Sequence, residues 1–246
     1  MFTLEYLDDG VRTWSLTADG AECELDETYR PTLYASATSA VDALADRAAA
    51  LPYVAATSVE RYRTAFRDDP EPVVRLDVER IDDVRRAATR IRRWGDPGEY
   101  RLYNVDFSRE FRYCLETGVS PVPERDPTTL ELSVSPVALD NDDLSTVRID
   151  GERHSGPVPE VLDAIQARID AVDPDVLVVS AGDLVPTLYE VAADHDRELQ
   201  LGRRPGWQQL AGESTYTSYG QVGHSPARYD VPGRALVDRS NTFFYT

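Results

Sequence analysis

Acids at the ends of apolar runs are the groups in this sequence best suited to chemistry. The stretch Asp173-Pro174-Asp175 leads into Val176–Val179, which reads as a buried strand, and Ala181-Gly182-Asp183 follows. Hard divalent ions take oxygen ligands, and a two-metal centre that activates water needs several carboxylates converging on ions about 4 Å apart. Asp183 falls at the carboxyl end of its strand, where ligand sites of α/β sheets lie. Its only obvious mate is Asp238, in Gly233-Arg234-Ala235-Leu236-Val237-Asp238. The positions after Asp183 are Leu184-Val185-Pro186; they hold no metal donor, and Pro186 suits the first turn of a helix. Asp183 is therefore open to two readings, a helix N-cap or a residual metal or DNA contact. Asp173 and Asp175, at the other end of the strand, read as turn residues. His154, His195 and His224 are scattered, and Cys23 and Cys114 form neither a zinc spacing nor a secreted disulfide framework.

The chain has 246 residues, enough for one large domain or two ordinary ones, and a net charge of −18. Such acidity by itself argues against a polyanionic partner. All the basic residues are arginine, however, and the chain has no lysine. An acidic, lysine-free composition suits a salt-saturated cytoplasm, because arginine is weakly hydrated and holds bidentate ion pairs. At molar salt the Debye length is about 3 Å, so the charge reports a halophilic habitat more than a partner. Against this background Arg85, Arg86, Arg90, Arg92 and Arg93 crowd one predicted helix, with 86, 90 and 93 on one face. They read either as phosphate contacts or as ion-pair partners of Glu79, Asp82 and Asp83. There is no basic leader and no apolar run near the ~20 residues of a membrane span, so a cytoplasmic protein without a membrane partner is expected.

The elements that must position these groups fall into two halves. Residues 1–26 read as an opening hairpin with a second turn at Asp19-Gly20. A βαββαβ order follows: strand Thr32–Ala35, a helix capped by Thr38 or Ser39 and running to about Leu51, strands Tyr53–Val59 and Val73–Val78, helix Ile81–Trp94, and strand Arg101–Val105. This order matches a ferredoxin-like module. A further helix is expected over Asp106–Gly118. The Pro-rich segment 120–127 is the best boundary and gives domains 1–122 and 123–246. The second half carries strands at about Thr129–Val137 and Leu144–Asp150, helix Glu160–Val172, strand Val176–Val179 and a helix from Leu184 to Ala193. Arg203–Arg228 reads as a long turn-rich segment with Trp207, Tyr216 and Tyr219. Alternating strands and helices argue for a mixed α/β sheet. The aromatic end Phe243-Phe244-Tyr245-Thr246 suggests a piece whose apolar terminus packs on further chain.

Five stretches resemble, in order and spacing, archaeal family B DNA polymerases. They are Tyr29-Arg30-Pro31-Thr32-Leu33-Tyr34-Ala35; Asn104-Val105-Asp106-Phe107 with Arg112-Tyr113-Cys114-Leu115-Glu116-Thr117-Gly118-Val119; Asp173-Pro174-Asp175-Val176-Leu177 with Gly182-Asp183; Leu201-Gly202-Arg203; and Gly233-Arg234-Ala235-Leu236-Val237-Asp238. The resemblance implies that family's N-terminal domain followed by most of an RNase H-like 3′–5′ exonuclease domain. It implies DNA as partner, and a nucleotidyltransferase palm, using Mg2+, that lies outside this chain.

The resemblance also locates the exonuclease ligands, and they are missing. The family's Asp-x-Glu pair falls on Ser135 and Val137, and the metal-binding aspartate of its second motif falls on Pro186. No cofactor is therefore assigned to this chain, and an inactive exonuclease is expected, with Asp183 and Asp238 the only weak metal candidates. Tyr34 and Arg112 fall at places matching the family's template-uracil pocket, and Arg112 joins Arg86, Arg90 and Arg93 as an expected DNA contact. The apolar wall of that pocket is replaced by Phe107-Ser108-Arg109, so Tyr34 reads as core. The alternative is a stand-alone nucleic-acid-binding or assembly module with an exonuclease-like fold.

Overall fold

A computed structural model describes residues 1–38, 40–218 and 221–244. Ser39, Tyr219, Tyr245 and Thr246, named above, lie outside the described residues. The N-terminal strands β1 (Thr3–Tyr6), β2 (Val11–Thr17) and β3 (Gly20–Asp26) form a sheet in that order. The chain divides into two compact units. The first holds Met1, 3–12 and 24–121; the second holds Phe2, 13–23 and 122–246. The segment 13–23 thus counts with the second unit, a departure from a simple boundary near 122. Its anchors are local: Leu16 accepts a backbone hydrogen bond from Glu124, and Trp14 packs on Gly233. Gly233 has φ +78, and a Cβ there would stand 2.7 Å from the Trp14 ring. Both facts require glycine.

In the first unit the order is β4 (Thr32–Ala37), α1 (Val41–Ala49), β5 (Val54–Tyr62), β6 (Glu71–Val78), α2 (Ile81–Arg92), β7 (Tyr100–Tyr103) and α3 (Arg109–Thr117). The sheet runs β5-β6-β4-β7, every neighbouring pair antiparallel. α2 buries Val84, Ala87, Ala88 and Ile91, an i, i+3, i+4, i+7 stripe, against Leu33, Val74, Leu76 and Val78 of the sheet. That stripe leaves its arginines on the opposite face. α1 starts at Val41 after Ala40, with no side-chain cap bond. α3 starts at Arg109, not Asp106, because Ser108 caps it by accepting from Phe111 N at 3.2 Å; Gly118, at φ +75, ends it.

In the second unit β8 (Thr129–Ser133), α4 (Pro136–Leu139), β9 (Thr146–Ile149), β10 (Glu152–Ser155), α5 (Val158–Val172), β11 (Val176–Val179) and α6 (Leu184–Asp194) precede four short strands. These are β12 (Gln208–Ala211), β13 (Ser214–Ser218), β14 (Gln221–Ser225) and β15 (Arg228–Asp230). β16 (Ala235–Asp238) and a 3-10 helix at Arg239–Phe244 complete it. The main sheet runs β10-β9-β8-β11-β16. β8, β11 and β16 are parallel neighbours, and β9 and β10 fold back antiparallel. One face, with Leu130, Leu132, Val147, Ile149, Leu177 and Val179, packs on Val161, Leu162, Ile165 and Ile169 of α5 and Leu184, Val185 and Leu188 of α6.

The sequence expected a single strand over Thr129–Val137. It stops at Ser133 because Ser135 caps α4, its Oγ accepting from Ala138 N at 3.2 Å. β10 was not expected: its four residues have no apolar alternation, and pairing with β9 makes it a strand. Arg203–Arg228 is likewise two small two-stranded sheets, β12 with β15 and β13 with β14, rather than a turn-rich connection.

Candidate nucleic-acid interface

The two ends of β11 have opposite characters. At its carboxyl end Gly182 makes a close approach, since a Cβ there would stand 3.0 Å from Asp238 Oδ2 and 3.3 Å from the Tyr229 ring. The parallel register pairs Val179 with Asp238, so the fold brings the neighbourhoods of Asp183 and Asp238 together. Asp183 occupies the N-cap position of α6, yet its side chain makes no cap bond. It accepts from Tyr229 Oη at 2.7 Å instead. Burial, and then the Asp183 carboxylate, push the Tyr229 hydroxyl up to about 12. Asp238 accepts from Ser240 N at 2.8 Å and from Ser240 Oγ at 2.7 Å.

This donor set does not fit a two-metal centre. Both carboxylates already accept from protein donors, Ser135 caps α4, Val137 is 72% exposed, and Pro186 lies in α6. Among the described residues no group of three His, Cys, Asp or Glu side chains converges. Glu131, on the outer face of β8, is ion-paired with Arg239.

At the other end of β11, the expectation that Asp173 and Asp175 are turn residues gives way to a buried ionic hub. Asp175 is fully buried and accepts from both Arg125 Nη atoms, from Arg203 Nη2 at 2.8 Å, and from Thr128 N at 2.7 Å. Burial alone would raise its pKa; the hydrogen bonds from Arg125, Thr128 and Arg203 outweigh that and hold it well below the usual carboxylate range. Asp173 ends α5 in the left-handed region at φ 42 and pairs with Arg203 and Arg234. Arg234 also donates to the Pro174 carbonyl. Burial, and then the neighbouring Arg203 charge, lower the Arg234 pKa.

Arg112 makes a second hub. Expected as a DNA contact, it is 1% exposed, and its guanidinium donates to the carbonyls of Thr32 and Asn104 and to Glu116 Oε1 at 2.9 Å. These partners leave it a structural clamp rather than a surface for phosphate. Tyr34, expected in the core, is half-buried beside Tyr62, with ring centroids 5.2 Å apart. It lines a cleft of about 300 Å3 with Arg63, Thr64, Val73, Tyr103 and Asn104.

The α2 arginines behave differently. Arg85, Arg86, Arg90, Arg92 and Arg93 are exposed. Of the acids expected to neutralise them, Glu79 pairs with Arg30 and Asp82 with Arg109, while Asp83 does pair with Arg86, at 3.4 Å. Among the described residues no carboxylate pairs with Arg85, Arg90 or Arg93. Arg86 also stacks over Tyr53, 4.3 Å from the ring centroid. Arg85, Arg86, Thr89, Arg90 and Arg93 line an open groove of about 590 Å3, floored by Leu51, Pro52 and Tyr53. Guanidinium groups fanned over an apolar floor can hold phosphate oxygens bidentately without reading bases.

No family model matches the chain, and no curated relative does. Among solved structures, the chain is similar to the family B DNA polymerase of the hyperthermophilic archaeon Pyrobaculum calidifontis, with a TM-score of 0.63 at 20% identity. The likeness covers 96% of this chain and 35% of that one. The fold of this chain is therefore shared with about a third of a family B DNA polymerase.

Proposed function

We propose that the chain is the N-terminal and exonuclease-like section of an archaeal, halophile-type family B DNA polymerase, acting in replication or repair as a DNA-engaging scaffold without 3′–5′ exonuclease chemistry. The observation that carries the reading is where the family-like stretches go. All five contribute to two buried arginine–carboxylate hubs, while the positions that would hold metals are occupied by a helix cap, an exposed valine and a proline. Strand orders support the finer assignment. β4-α1-β5-β6-α2-β7 with sheet order β5-β6-β4-β7 supports a split βαβ, ferredoxin-like reading of the first unit. The antiparallel β10-β9-β8 extended by parallel β11 and β16 supports an RNase H-like sheet.

DNA engagement rests on the α2 groove, where Arg85, Arg90 and Arg93 have no carboxylate partner among the described residues, in a chain of net charge −18. In molar salt, short-range bidentate contacts survive screening better than long-range attraction. The palm, its Mg2+ and nucleotidyl transfer belong to sequence outside this chain. Locating an in-frame palm with paired aspartates beyond codon 246, and measuring binding of labelled primer–template DNA to this chain, tests the reading. A stop codon at that point favours a stand-alone nucleic-acid-binding or assembly module.

A further inference from the structure

Two further arginines without a carboxylate partner among the described residues lie in the other unit, on the two outermost strands of one side of the main sheet, beside a serine of the third. The register places Ser133 of β8 opposite Arg148 of β9, and Arg148 opposite Arg153 of β10. Neighbouring Leu132, Val147 and Ile149 point into the core, so the row Ser133–Arg148–Arg153 stands on the outer face. Two like charges directly across an antiparallel ladder destabilise it. Both arginines are exposed, and among the described residues neither has a carboxylate partner. Arg148 donates to the Gly151 carbonyl at 3.0 Å and Arg153 to Ser155 Oγ at 2.9 Å. These bonds hold the two side chains without neutralising them.

The row opens into a cleft of about 540 Å3, lined also by Ser135, Ala138, Asp143, Ser145 and Thr146. That volume is in the range of small-ligand sites. Its chemistry is guanidinium and hydroxyl, the donor set of an oxyanion site. Asp143 is the one acid in the lining; it accepts from Ser145 N at 3.0 Å, and hydrogen bonds from Ser145 hold it below the usual carboxylate range. Two guanidinium charges and one carboxylate leave the cleft a single net positive charge. A phosphodiester, with one negative charge, matches that balance better than a doubly charged phosphate monoester.

We propose that this cleft binds a backbone phosphodiester of single-stranded nucleic acid, held between Arg148 and Arg153 with hydroxyl donors from Ser133 and Ser135. A bound phosphodiester offsets the repulsion that the free protein carries across this pair. Ser135 thus stands where the related exonuclease motif has a cation ligand, and the surroundings have become suited to an anion. The inference deepens the DNA-engaging reading but uses no α2 residue, so the two can fail separately.

The test is fluorescence anisotropy of a labelled oligothymidylate with four proteins: the unaltered chain, Arg148→Gln, Arg153→Glu, and the triple Arg86→Glu, Arg90→Glu, Arg93→Glu. Thermal unfolding is followed alongside. The expected result is a loss of affinity of about tenfold or more in each cleft variant. Arg153→Glu should at the same time raise Tm, since it turns a repulsive cross-strand pair into an attractive one. The dinucleotide pTpT should compete better than inorganic phosphate. Unchanged affinity in both cleft variants overturns the proposal, as does a Tm that falls in Arg153→Glu. If only the triple variant loses binding, the α2 groove stands and the cleft does not; the reverse result supports the cleft and sinks the groove.

Discussion

Arg203 donates to the buried carboxylate of Asp175 at 2.8 Å, joining the residues after α6 to the start of β11 across 28 positions of sequence. Asp175 in turn takes both Nη atoms of Arg125, which precedes β8. Three separate connections of the sheet are thus tied at one carboxylate, on the end away from Asp183 and Asp238. An ion pair this buried is valuable mainly because each partner is intolerable alone.

Replacing Asp175 with Asn should therefore destabilise the second unit by about 3–5 kcal/mol, measured by urea unfolding. The pH dependence has a definite sign. The folded pKa of Asp175 is depressed, so its stabilisation is complete above the unfolded value, near 4, and is lost as pH falls below that. The acid limb of the stability curve should flatten in Asp175→Asn; an unaltered limb would show that other carboxylates govern it.

Arg112 is the counterpart in the first unit. Arg112→Met should lower stability by about 3–5 kcal/mol by stranding Glu116 and two carbonyls. Arg112→Lys should recover little of it, because an ammonium cannot present the guanidinium fork to Thr32, Asn104 and Glu116 together. Thermal denaturation of both variants checks this; full recovery by lysine refutes the geometric account.

The α2 groove predicts a salt signature. In the Arg86→Glu, Arg90→Glu, Arg93→Glu variant, DNA affinity should fall, and the slope of log K against log salt should become shallower by about 2–3. Affinity and slope matching those of the unaltered chain would return these arginines to a purely solvating role.

The chain should not shorten single-stranded DNA in Mg2+ or Mn2+, nor bind Mn2+ saturably in calorimetry. Stoichiometric Mn2+ binding, or metal-dependent release of nucleotides that survives further purification, would identify ligands outside the set weighed above.

Much of the framework was legible in the residues. The apolar run at Val176–Val179 lies where the strand does, and the stripe on α2 gives the helix its buried face. Long-range pairing was not legible. Asp175 reads as a turn acid until Arg125 and Arg203, 50 and 28 residues away, are brought to it. Asp183 has the residue type of a cap, but Tyr229, 46 residues on, takes its carboxylate. β10 and β12–β15 escaped because short polar strands are defined by their partners rather than by their own composition. Tyr34 reads as core once Phe107-Ser108-Arg109 replaces the apolar wall of the matching pocket, whereas its neighbour Tyr62 makes it the wall of a cleft.

The parallel ladder between β11 and β16 joins Val176–Val179 to Ala235–Asp238. A nascent chain must therefore carry β11 with one bare edge until some 60 further residues have emerged, and loop closure over that distance is slow. During that interval the edge is a template for pairing with another chain. Chains cut ahead of Ala235 should consequently collect as oligomers or aggregates, whereas those reaching past Asp238 can seal the edge from within.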